Sequence, residues 1–166
     1  MKCVTNTSPI SWLERIGRLE LLAQVYDEIY APKIVFEQLA PHYPTRSFVK
    51  EHLKPLQIDP KELEQFNDLS IEWLNRLNVD DVGEVAVFVA YRFFLDVDEM
   101  LYANKGAETA ISPYGSVRDI ANLYEVAEEK GIFTRADSIE FLEGFLRIKP
   151  PYGTLYVQHL LKKLKD

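Results

Sequence analysis

One N-terminal stretch constrains this chain more than any other part of it. Cys3-Val4-Thr5 reads as a short buried strand, and Thr7-Ser8-Pro9 reads as a helix start directly behind it. Ser8 suits the N-cap and Pro9 the first helical position, where a missing N–H leaves nothing unpaired. Ile10, Leu13 and Ile16 then repeat at three-residue spacing, and Gly17 reads as the stop. A strand running straight into a helix places Asn6 at the strand's carboxyl end. In open α/β sheets that rim is where ligands bind.

The remainder of the chain extends the pattern. Leu19, Leu21 and Leu22 carry an apolar face to Tyr26, and Glu28-Ile29-Tyr30-Ala31 reads as a second strand. Pro32 opens a helix through Ala40, which Pro41 stops. Strand and helix alternating at these lengths predict right-handed βαβ units and a parallel sheet. Prolines at 41, 44, 55 and 60 break up the next segment, with helical patches at Ser47–Leu53 and Lys61–Leu77 and Trp73 as a core anchor. Residues 41–78 are therefore expected to form a helical insertion packed on one domain spanning residues 1–166.

Asp80 to Tyr91 predicts a helix with Glu84 in its first turn and small Ala86 and Ala90 allowing close packing. Met100–Ala103 reads as a third strand, Asn104-Lys105-Gly106 as a turn out of it, and Ala110-Ile111 as a very short fourth strand. Apolar residues from Val117 to Ala127 predict a helix over Gly115–Lys130, closed by Gly131. A helix over Ser138–Leu146, an edge strand at Arg147–Lys149 and a last helix from Thr154 to Leu164 complete the reading. Leu155, Val157, Leu160, Leu161 and Leu164 are assigned to packing, with a dimer or partner contact as the alternative.

At 166 residues the chain is long enough to bury a real core. No apolar run approaches the ~20 residues of a membrane span, and no charged-then-apolar leader opens the sequence, so a cytoplasmic protein is expected. Cys3 is the single cysteine, which excludes an internal disulfide and reads as a buried strand thiol. The net charge of −7 disfavours non-specific binding to a polyanion, although a local basic patch can coexist with an acidic whole. His42, His52 and His159 are scattered, without metal-ligand spacing, and no Gly-rich phosphate loop is present. The basic Lys162-Lys163-Leu164-Lys165 tail suits a helix C-terminus, with a phosphate contact as the functional alternative.

Asn6-Thr7-Ser8-Pro9 together with Ile16-Gly17-Arg18-Leu19-Glu20-Leu21-Leu22 resembles the opening of PIN-domain proteins, in a subgroup that has Asp-Thr-Ser-Pro. The Gly83-Glu84 helix adds independent support. The resemblance implies a PIN-like three-layer α/β fold, a short parallel sheet flanked by helices. It also implies an acidic site, because many PIN domains are metal-dependent ribonucleases, including toxins of toxin–antitoxin pairs. Carried over by position, the family acids fall on Asn6, on Gln38 within the Pro32-to-Leu39 pattern, on Glu84, and on Ala103-Asn104.

Those substitutions bear on the chemistry. Mg²⁺ and Mn²⁺ prefer oxygen ligands whose charge offsets their own, and a bound ion activates water and steadies a phosphate under attack. Asn6, Gln38 and Asn104 keep an amide oxygen but no charge, so Glu84 is the one metal-ligand candidate left. The resemblance thus implies a catalytically degenerate relative, kept for binding RNA or a protein partner, with no cofactor expected. The alternative is an active Mg²⁺- or Mn²⁺-dependent ribonuclease, an antitoxin-neutralised toxin, using Glu84 with relocated acids. Of Glu37, Asp80, Asp81, Asp96, Asp98, Glu99 and Glu108, only Glu108 lies after the rim and suits that role; the others read as solvated surface. A homodimer is a further expectation from the resemblance. An unrelated α/β protein sharing the local pattern is the third reading.

Overall fold

Five short parallel strands form one sheet in the order β3-β2-β1-β4-β5 in a computed structural model that describes every residue except Ala40 and His42. The strands are β1 (Lys2–Thr5), β2 (Glu28–Ala31), β3 (Leu53–Pro55), β4 (Glu99–Tyr102) and β5 (Val117–Asp119). Val4 lies opposite Tyr30 on one side and Met100 on the other, so β1 is the centre of the sheet. Alternation along the strands splits the core in two. Cys3, Ile29 and Leu101 face one apolar layer, while Val4, Met100 and Tyr102 face a second. The result is the α/β architecture with a flanked parallel sheet that the sequence predicts.

Helix α1 (Thr7–Arg15) leaves β1 with Asn6, not Ser8, in the capping position. Ser8 and Pro9 instead fill the first turn, where proline is still tolerated because those N–H groups have no intrahelical acceptor. Gly17, at φ 71°, ends the helix. Its N–H donates to Glu14 and that of Arg18 to Leu13, at 3.0 and 2.8 Å. These are the paired bonds of a left-handed helix stop, which glycine adopts without steric cost. Helix α2 (Leu21–Val25) leads to β2, and α3 (Lys33–Leu39) follows it after Pro32. Ala40, expected as the last residue of α3, and His42 lie outside the described residues.

The segment expected to be purely helical contributes a strand. Helix α4 (Tyr43–His52) runs into β3, whose Leu53 pairs with Ile29, and the long helix α5 (Pro60–Leu77) follows. Asp59 accepts from the Lys61 N–H at 3.0 Å to start α5, and Asn78, left-handed at φ 53°, stops it. Trp73 is buried against Phe88, with the Arg76 guanidinium 4.0 Å from its ring centre. Helix α6 (Val82–Val89) is capped by Asp81, which accepts from the Glu84 N–H at 3.1 Å, and is buried from Gly83 to its end.

The chain after β4 differs most from expectation. Ala110-Ile111 is not a strand but the last turn of helix α7 (Lys105–Ile111), started by Asn104 accepting from the Gly106 and Ala107 N–H groups. The expected Gly115–Lys130 helix is instead β5, a short 3-10 turn and α8 (Leu123–Glu129). Pairing with β4 overrides the helical periodicity of Val117 and Ile120. Gly131 does end α8, at φ 72°. Arg147 belongs to helix α9 (Arg135–Arg147), so the expected edge strand at Arg147–Lys149 does not form. Helix α10 (Thr154–Lys165) packs on α9 through Val157, Leu160 and Leu161, whereas Leu155, assigned to packing, is exposed.

Glu99 also departs from its surface reading. It is buried at the amino end of β4, where Arg118 reaches it at 2.6 and 3.2 Å and the Tyr26 hydroxyl donates to it at 2.5 Å. Among the described residues no helix is long and apolar enough to cross a membrane.

Candidate functional site

The sheet reverses its strand order between β1 and β4, the place at whose carboxyl-end rim open α/β sheets bind ligands. Asn6 leaves β1 at that rim and Asn104 leaves β4 beside it. The start of α6 is held to the same rim because the Tyr102 hydroxyl, from the end of β4, donates to the Glu84 carbonyl at 2.8 Å.

Glu84 is 3% exposed, and its Oε1 accepts from Asn104 Nδ2 at 3.0 Å. Burial, then the charge of Asp81, raises its pKa above the ordinary carboxylate value, against the lowering effect of the Asn104 bond. The structure thus joins Glu84 to Asn104. Gln38 is joined elsewhere: it is exposed on α3, and its Oε1 accepts from the Thr7 hydroxyl next to Asn6. Asn6 is 4% exposed, and its Oδ1 is closed off from solvent with no hydrogen-bond partner among the described residues.

A second polar group on this rim escapes the sequence reading. Asp119, at the end of β5, lies in register with Tyr102 and is buried. Its oxygens accept from the Ala121 N–H at 2.8 Å and the Tyr152 hydroxyl at 2.7 Å, and the Lys105 ammonium stands 3.4 Å away. Lys105 also lies 3.3 Å from Glu108 and 3.4 Å from the centre of the Tyr156 ring. Burial, then the neighbouring Asp119 charge, raises the Glu108 pKa. Reading Val117–Asp119 as helix hid this position. The signal present is an Asp ahead of the apolar Ile120-Ala121 pair, a capping arrangement that ends a strand as well as starting a helix.

Comparison with protein families matches residues 2–93 to the PIN domain. The chain belongs to the PIN-domain family. That match includes Asn6, Gln38 and Glu84 and ends before Asn104. Among curated proteins, none matches the chain.

The family's metal chemistry can be tested against these donors. A divalent cation needs converging oxygens with enough negative charge to offset its dehydration. Glu84 faces an amide N–H donor from Asn104, which repels a cation, and burial and the Asp81 charge raise its pKa. Asn104 Oδ1 already accepts two backbone N–H groups, and Gln38 Oε1 is engaged by Thr7. Asp119 and Glu108 share the one Lys105 ammonium, which occupies the space between them where a metal ion would have to sit. Among the described residues no group of three or more His, Cys, Asp or Glu side chains could hold a metal ion. The described side chains of the rim do not fit a resident Mg²⁺ or Mn²⁺.

Proposed function

We propose that this PIN-domain protein is a catalytically degenerate relative of metal-dependent ribonucleases, retained for binding a macromolecular partner. One observation carries the reading: Glu84, the single carboxylate at the four family acid positions, is hydrogen-bonded to an amide nitrogen where a ligand set would need a cation. Between the two partner classes expected, the net charge of −7 favours a protein over RNA, because phosphate contacts supply most nucleic-acid affinity.

The test is a calorimetric titration of the protein with Mn²⁺, repeated on Glu84→Ala and followed by an RNA cleavage assay. No saturable binding up to millimolar Mn²⁺ and no cleavage are expected. Saturable binding that Glu84→Ala abolishes, with metal-dependent cleavage, would overturn the proposal in favour of an active ribonuclease. Expression that arrests growth and is relieved by a co-expressed small partner would assign that ribonuclease to a toxin–antitoxin pair.

A further inference from the structure

Three elements close a corner of the rim around the Lys105 ammonium. Lys105 opens α7, Glu108 follows three residues later on the same helix face, and Asp119 meets the pair from the end of β5. The ammonium lies 3.3 Å from Glu108 Oε2 and 3.4 Å from Asp119 Oδ2. A third side is the Tyr156 ring of α10, whose centre is 3.4 Å away. The Tyr156 hydroxyl donates to Asn122 Oδ1 at 2.5 Å and so fixes that ring.

Both carboxylates depend on this one charge. The Asp119 side chain is wholly buried, and its hydrogen bonds come from the neutral Ala121 N–H and Tyr152 hydroxyl. Glu108 Oε2 is closed off from solvent and makes no hydrogen bond among the described residues, so the ammonium is what it has in place of water. Among the described residues no other ammonium or guanidinium pairs with either group. Two carboxylates are a sufficient protein contribution for Mg²⁺ or Mn²⁺, which keep several of their waters when bound. What this pair lacks is a free position, since a divalent ion placed there would meet the Lys105 charge at close range. The Lys105 side chain is 45% exposed, so taking the ammonium away would open the position to solvent and to an entering ion.

We propose that Lys105 is the resident cation of this rim, a tethered substitute for a divalent ion, whose removal opens an Mg²⁺- or Mn²⁺-binding position on Asp119 and Glu108. The oxygens concerned are not those of Asn6, Gln38, Glu84 or Asn104. The inference rests on the reading above that the rim holds no resident metal, and it names the residue that keeps Glu108 from acting as a relocated ligand.

The experiment compares the wild type, Lys105→Ala, and Lys105→Ala with Glu108→Gln. Mn²⁺ binding is read from the loss of the free-ion electron paramagnetic resonance signal, and melting is followed with chelator or with millimolar Mn²⁺. The wild type should bind no Mn²⁺ and melt alike in both. Lys105→Ala should melt about 3–6 °C lower in chelator, bind Mn²⁺ saturably and recover melting temperature with it. Adding Glu108→Gln should abolish that binding. Wild-type melting of Lys105→Ala in chelator, no binding by it up to millimolar Mn²⁺, or binding that persists with Glu108→Gln would each overturn this inference alone. Wild-type binding that Glu84→Ala abolishes would overturn the metal-free reading beneath it. One measurement needs no variant that must fold: the Lys105 ε-methylene protons, held over the Tyr156 ring, should resonate upfield of those of the other lysines in the wild-type NMR spectrum. An ordinary lysine shift there would overturn the placement and the proposal with it.

Discussion

Restoring acids at positions 6 and 38 is expected to destabilise the protein in the absence of metal. The effect of Asn6→Asp with Gln38→Glu falls almost wholly on position 6. Gln38 is exposed, and a glutamate oxygen there accepts the Thr7 hydroxyl as well as the amide does. Asn6 is buried and its Oδ1 has no donor among the described residues, so a carboxylate in its place loses water and gains no bond from them. Burial of that kind raises the folded-state pKa; a rise of about two units over the unfolded ~3.9 corresponds to about 2.7 kcal/mol at pH 7. Negative charge at the N-terminus of α1 offsets about 0.5–1 kcal/mol of this. The net loss of about 2 kcal/mol lowers the melting temperature by about 4–8 °C for a domain of this size. The sign with pH follows from a raised acid pKa. The folded variant holds its proton longer than the unfolded chain, so the deficit is absent below about pH 4 and full above about pH 6. Circular-dichroism melts from pH 4 to 8 with chelator present measure it. A double variant that melts at or above the wild type at pH 7, or a deficit that persists undiminished at pH 4, refutes the reasoning.

Three further outcomes are expected. Because burial and Asp81 raise the Glu84 pKa, the wild type should gain melting temperature relative to Glu84→Gln as pH falls from 8 towards 5, a difference read by parallel melts. Asp119→Ala strips the acceptor from the buried Tyr152 hydroxyl and the Ala121 N–H and should cost about 2–4 kcal/mol in urea unfolding. Arg118→Met leaves the buried Glu99 carboxylate without its cation and should cost about 3 kcal/mol, whereas replacing both residues with apolar ones should recover most of that loss.

How far the sequence reaches depends on which forces act locally. The units up to α3 are legible because their signals are local: the strand runs into α1, Gly17 ends α1 in a left-handed conformation, and Pro32 opens α3. The edge strand β3 is three residues ending in Pro55, and β5 is three residues inside a run with helical spacing, so neither carries a periodicity of its own. Each forms because a neighbouring strand offers a parallel edge, Ile29 to Leu53 and Met100 to Val117, and that contact cannot be seen along the chain.

The same division governs the rim. The resemblance locates Asn6, Gln38, Glu84 and Asn104 by position, and the fold carries Glu84 and Asn104 into contact across twenty residues of chain. Their partners are set by register rather than motif. Asp119 reaches the rim only because β5 pairs beside β4 with Asp119 opposite Tyr102, and only there can Lys105, one residue past Asn104, lie between it and Glu108. The amide at 104 therefore does more than leave the position uncharged. Asn104 caps α7 through Oδ1 and donates to Glu84 through Nδ2, and only the amide supplies both. A carboxylate at 104 keeps the cap but meets Glu84 as a like charge, so the amide at 104 and the buried acid at 84 support each other, and restoring one acid at a time works against the packing around the other.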